Sequence, residues 1–249
     1  MPGPPAPPPA ATTAPTAGPG ATEDRHHRRA LRLRQSLVVT LAVVSGATDA
    51  IGLMALGGAF TSVMTGNLVI LGVSASTADG ELAIASGGAI VAFCAGAALG
   101  ARLAGLPTPG DRVWPRPVTL ALSVELVLLI GYAVGWWLTG ARPGTVVALL
   151  LLFALAAALG IQSSTVQRFG VSGMSTTYLT GTLTTVVMRL ATGRGVREVR
   201  HSIEILVGLV AGAAAGAGLL VLLPMAAPVL QLVALGAVVL LGATAFRRR

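Results

Sequence analysis

Hydrophobic positions along the chain gather into eight blocks separated by short polar, glycine-rich or basic stretches. Six blocks, at about 36–57, 82–105, 117–138, 144–165, 201–222 and 227–246, run for the ~20 residues that a helix needs to cross a bilayer. The other two, at 60–76 and 171–190, are interrupted by polar residues and glycine. The first offers Thr61, Ser62, Thr65, Gly66 and Asn67; the second offers Ser175, Thr176, Thr177, Tyr178, Thr180, Gly181 and Thr182. Glycine loosens a helix, and hydroxyl or amide side chains can cap the freed backbone groups. At membrane depth such backbone persists only when it is buried in protein or lines a wet cavity. The pattern predicts an all-α, polytopic membrane helix bundle with six spans and two re-entrant or half-helical segments. Eight full spans are the alternative.

The blocks also repeat. Met64-Thr65-Gly66-Asn67-Leu68 aligns with Leu179-Thr180-Gly181-Thr182-Leu183, and Ala95–Ala101 with Ala211–Ala217, both in Ala/Gly-rich or Thr-Gly contexts. Gly46 before Asp49 aligns with Gly160 before Gln162-Ser163-Ser164, and all these matches share offsets of 114 to 116 residues. The expected organisation is a membrane repeat at 36–138 and a second at 144–246, preceded by residues 1–35. Three spans per half make the two repeats inverted. Residues 1–24 hold eight of the 15 prolines, read as a disordered tail rather than a signal peptide, and a basic collar from Arg25 to Arg34 follows.

Charge settles the predicted orientation. Only 10% of residues are charged and 54% are hydrophobic, against roughly 25% charged in an average soluble domain, which excludes a soluble globular enzyme. All 17 basic residues are arginine, and they cluster at block ends without interleaved aromatics. That distribution indicates the positive-inside rule and not nucleic-acid binding. Six spans with two re-entrant segments place 16 of the 17 arginines on one side, leaving only Arg142 opposite; eight spans place 13 there. The protein is therefore expected in a membrane, multi-pass, with both termini cytoplasmic. Trp114, Trp136 and Trp137 fall at block ends, where an interfacial aromatic belt is expected.

Gly46-Ala-Thr-Asp49-Ala-Ile-Gly52, continuing through Leu56-Gly57-Gly58-Ala-Phe60 to Met64-Thr65-Gly66-Asn67, resembles the leading signature of the YoaK family of bacterial multi-pass membrane proteins. Gly160-Ile161-Gln162 followed by Thr176-Thr177-Tyr178-Leu179-Thr180-Gly181-Thr182 resembles its second signature, with Ser163 where the family often has Asn. The resemblance covers about 36–246. It implies a polytopic inner-membrane protein carrying a domain of unknown function, and it supplies no substrate or reaction.

Asp49 is the sharpest candidate for chemistry. A carboxylate inside a span costs about 2.5–3.5 kcal/mol on insertion scales, so it must meet a partner or a cavity. It is either a proton or cation site, with Thr65 and Asn67 as neighbours, or a structural group bonding the backbone of a broken helix. Glu125 has no arginine within reach in its span and is a second candidate, for a relay with Asp49 or for capping. Gln162 and Tyr178 are expected opposite Asp49 and Asn67, with Thr180 and Thr182 from the second interrupted segment; interhelical hydrogen bonding is their alternative role. His201 and Glu204, among arginines, read as an interfacial ion pair. The ladders Gly96-xxx-Gly100 and Gly208-xxx-Gly212-xxx-Gly216 are expected to pack against each other, with a homodimer interface as the rival use.

The best-supported function from sequence is secondary transport of a small solute, coupled to a proton or another cation, and not enzymatic catalysis. A non-transporting membrane scaffold is the second reading. A rhomboid-like serine protease, built on Gly170-Val171-Ser172-Gly173 with His201 as base, is the third. Partners are the bilayer and a small solute or ion, with a homodimer as a further option and no nucleic acid. Three histidines and the single Cys94 offer no metal set, and no cofactor-binding motif is present.

Overall fold

The computed structural model describes residues 3, 19–108, 111–169, 179–193 and 195–245. Among these residues the chain is helical and without strands, and six helices are long and apolar enough to cross a membrane. They are α1 (Pro19–Ala55), α3 (Gly80–Ala104), α4 (Arg116–Leu138), α5 (Thr145–Gln167), α7 (Val196–Leu222) and α8 (Val229–Ala245), with a 3₁₀ turn at Pro224–Ala226 leading into α8. The remaining two, α2 (Met64–Thr77) and α6 (Leu179–Ala191), correspond to the interrupted blocks. At 14 and 13 residues they extend about 20 Å each, short of the ~30 Å hydrocarbon core.

The basic collar does not form a separate segment. Residues 19–35 continue the first span as one helix starting at Pro19, which corrects the expectation of disorder for 19–24. Proline suits a first helical turn, where its missing N–H has no intrahelical acceptor, and arginine is a good helix former, so the buried part of α1 propagates outward at little cost. The rest of the expected tail, Gly3 aside, lies outside the described residues.

α1 and α5 sit at the centre and touch each other; α7 packs along α1, and α3 along α5, as the two most extensive crossings of the bundle. α4 packs on α5 and α8 on α1; α2 lies on α3 and α6 on α7; α4 meets α8. Every one of these contacts has its counterpart in the other half. The glycine ladders therefore pack against α1 and α5, and not against each other as expected. A Cβ on Gly212 would strike the Val43 backbone, and one on Gly216 the Ala47 backbone. At the same registers in the other crossing, Gly96 faces Ala157 and Gly100 faces Ile161. The return contacts match too: Gly46 lies against Leu209 and Ala213, and Gly160 against Phe93 and Ala97. Without a hydrophobic force to join helices in lipid, such close backbone approach supplies the van der Waals attraction that holds the pair together.

All three tryptophans stand at the ends of α4, but two of them face protein. Trp114 and Trp136 are buried, and only Trp137 is exposed. Trp136 Nε1 donates to the Pro224 carbonyl at 2.9 Å, and Trp137 Nε1 to the Met225 carbonyl at 2.8 Å, so both indoles fasten the end of α4 to the α7–α8 turn. Trp114 Nε1 donates to Thr119 Oγ1 at 2.9 Å. Carbonyls freed by the Pro-containing turn accept these N–H groups, which buried indoles require.

Candidate functional site

The first signature folds into a clamp on the break between α1 and α2. Gly57 (φ +115°) and Gly58 (φ +77°) turn the chain back through conformations that side chains rarely adopt. The returning strand of the turn then runs down the flank of α1, where a Cβ on Gly52 would meet the Ala59 carbonyl oxygen at 2.8 Å. Six residues before the end of α1, Asp49 receives it. Its Oδ1 accepts from the Thr61 and Ser62 N–H groups at 2.8 Å each and from Thr61 Oγ1 at 2.9 Å. Its Oδ2 accepts from Ser62 Oγ at 2.5 Å. The chain entering α2 is thus fastened about 9 Å back from the tip of α1, and α2 leaves it as a half-helix.

Asn67 holds the other edge of the turn. Its Oδ1 accepts from the Phe60 N–H at 2.8 Å, while its Nδ2 donates to the Phe60 carbonyl at 2.7 Å. Between them, Asp49 and Asn67 satisfy the N–H groups of residues 60–62 and the Phe60 carbonyl, which no helix supplies with partners. The donors to Asp49 are thus Thr61 and Ser62, not the expected Thr65 and Asn67. Thr65 stands on the exposed face of α2, and Thr180, its counterpart by repeat, is likewise exposed on α6. Thr182, the counterpart of Asn67, is buried.

Asp49 still borders open space. A cavity of about 320 Å³ lies between α1 and α7, walled by Gly46, Asp49, Ala50, Phe60, Leu209 and Ala213 among other residues, and its lining is almost wholly apolar. Gln162 is fully buried on α5 and bridges to α1, donating from Nε2 to Ser45 Oγ at 2.7 Å and to the Leu41 carbonyl at 3.2 Å. It joins the two central helices instead of facing Asp49. Tyr178 lies outside the described residues, as does Ser172.

Glu125 has a different environment. It is fully buried on α4, on the face that carries Val118, Leu122 and Leu129 into the main apolar core. Neither carboxyl oxygen has a hydrogen-bond partner among the described residues. Tyr132, two turns along the same face, is equally buried, and its hydroxyl also has no partner. At the end of the bundle, His201 and Glu204 behave as expected, with Arg200 Nε on Glu204 Oε1 at 2.7 Å and His201 3.6 Å from Oε2. Among the described residues, no group of three His, Cys, Asp or Glu side chains is placed to hold a metal.

Sequence reasoning missed Thr61 and Ser62 as the partners of Asp49, and Ser45 as the partner of Gln162. The signal available was a Thr-Ser pair just before the start of a short helix, twelve and thirteen residues after a carboxylate in the preceding span.

The sequence profile described as "Protein of unknown function (DUF1275)" matches residues 37–242. The chain is 31% identical over 154 residues to the UPF0700 transmembrane protein YoaK of Bacillus subtilis (strain 168), an alignment covering 62% of this chain and 66% of that relative. It thus spans just under two thirds of the relative's length. No solved structure matches the chain.

Proposed function

We propose, for a chain that belongs to the DUF1275 family of YoaK-type membrane proteins, that it is a secondary transporter of a small solute and not an enzyme. The cavity that reaches Asp49 beside a broken membrane segment carries this reading. Its volume, about 320 Å³, falls at the small end of the roughly 300–1,000 Å³ typical of ligand pockets, and its wall is mostly apolar, as the walls of such sites are, with Asp49 among the lining residues. Paired interrupted segments in two halves mark the binding region of many transporters. The matched contacts of the two halves fit an inverted repeat, with the halves rocking about the α1–α5 contact. Sixteen of 17 arginines then face the cytoplasm of a bacterial inner membrane, as do both termini. Glu125 is the proton-coupling candidate, because an intramembrane carboxyl without a partner is costly to keep for packing alone.

The deciding experiment replaces Ala50 on the cavity wall with cysteine in a Cys94→Ser background and applies a membrane-impermeant thiol reagent from each side. Ala50 suits the test better than Asn67, whose loss would unfasten the turn. Labelling from either side supports a wet pathway. Absence of labelling from both sides, with a cysteine at exposed Thr77 reacting normally, rules it out. That result would favour the non-transporting scaffold, a reading already supported by the complete hydrogen bonding of Asp49 and Asn67 within the turn.

A further inference from the structure

At the bundle end where α1 enters, α3 and α5 finish and α4 begins, a cavity of about 280 Å³ is lined by Arg34, Arg112 and Arg168. Asp111 is the acidic residue on its wall. Three guanidiniums therefore face one carboxylate. Asp111 is engaged by Thr108 and by one of the three arginines: its Oδ1 accepts from Thr108 Oγ1 at 2.7 Å, and its Oδ2 from the Thr108 N–H at 3.0 Å and from Arg168 Nη2 at 3.1 Å. The Thr108 hydrogen bonds, with Arg168 alongside, hold the Asp111 carboxyl below the usual carboxylate range.

The arginines are positioned but not satisfied. The Arg168 side chain is only 10% exposed, and its buried Nε has no partner among the described residues. The Arg34 Nε is buried and without a partner as well. The Arg34 guanidinium lies over the Phe169 ring, 5.2 Å from its centre, and the centre of that ring in turn rests 5.3 Å from the Trp114 ring centre, a cation–π contact that helps to place the charge. Three guanidinium groups lining one cavity are suited to oxyanions, above all to phosphate, which accepts parallel hydrogen bonds from such forks.

We infer that this cavity binds a phosphate-class anion, contributed either by a lipid headgroup or by a free phosphate. A basic pocket between spans at the membrane surface is placed for the first source, and its opening to the aqueous side admits the second. The inference stands apart from the transport reading, since the cavity lies at a helix end and uses neither Asp49 nor Glu125.

Native mass spectrometry of the full-length protein in mild detergent tests it, with phosphatidylglycerol, phosphatidylcholine and inorganic phosphate as separate probes. The wild type is expected to retain phosphatidylglycerol over phosphatidylcholine, or to bind inorganic phosphate. Arg34→Gln/Arg112→Gln should weaken that binding about tenfold or more, while Arg142→Gln at the opposite end should leave it unchanged. Retention of phosphatidylglycerol without a response to phosphate assigns a lipid; the reverse assigns a soluble anion. Binding of neither probe by the wild type, or equal loss in the Arg142 variant, overturns the inference. If the double variant does not fold, Arg112→Gln alone carries the same reading, because this side chain is exposed.

Discussion

Among the described residues two carboxylates are buried in this membrane bundle, and their surroundings are opposite. Asp49 accepts four hydrogen bonds from Thr61 and Ser62, and Glu125, among leucine and valine, accepts none from the described residues. The first is bound up in structure: its charge offsets the backbone N–H groups that a broken helix leaves exposed. The second gives the fold nothing that an apolar side chain would not give better. A buried ionisable group that stabilises nothing is where a coupling role is most economically sought. The carboxylate that stands out in the sequence motif is therefore the better-explained one.

Substitutions at the two sites should move stability in opposite directions. Asp49→Leu is expected to have the largest effect, because four donors lose their acceptor and each buried unpaired group costs about 1–3 kcal/mol. Failure to purify as a single species, or a large fall in the midpoint of thermal unfolding in detergent, is the expected outcome; near-wild-type stability would remove the clamp reading. Glu125→Leu should instead raise stability by about 2 kcal/mol, since it replaces an unsatisfied buried polar group with an apolar one. The same variant should abolish proton-coupled uptake in proteoliposomes, and retention of coupling would free Glu125 from the mechanism. If it destabilises, Glu125 has a partner or a water that offsets its burial.

Within the signature itself the comparison can be sharpened further. Asn67→Ala should lower stability by about 2 kcal/mol, since the Phe60 N–H and carbonyl both lose their partner. Proteolysis or hydrogen exchange should localise the loss to residues 56–63. Thr65→Ala, two residues away on an exposed face, should change stability by less than about 0.5 kcal/mol. Equal effects at the two positions would mean that the motif acts as a helix surface and not as a clamp.

The sequence anticipated a good deal of this. It placed all six candidate spans within a few residues of their observed ends, apart from the extension of α1 to Pro19, and it marked both short segments. It also singled out Asp49, Asn67, Glu125, Gln162 and Thr182, every one of which is buried. It placed Thr65 and Thr180 in the site with the same confidence as Asn67 and Thr182, although both are exposed, because a Thr-Gly motif does not say which way its threonine points.

The division has a physical basis. Span number, span length and the interruption of a helix by glycine and polar residues depend on each segment's own transfer into lipid, a local quantity that hydropathy reads directly. The equal spacing of the two Thr-Gly and Ala/Gly motifs belongs to the same level, since it is visible without coordinates. Which helix a glycine ladder meets is not local. Gly96 and Gly212 have the same surroundings in sequence whether they face each other or face Ala157 and Val43, and only the packed bundle chose the second. The same holds for the donors of Asp49, which the Gly57-Gly58 turn delivers from twelve residues away, and for Trp114 and Trp136, drawn inward by partners on other segments. Tertiary structure made these choices because a hydrogen bond or a backbone contact in a membrane is decided by which two surfaces approach, and no single segment carries that information.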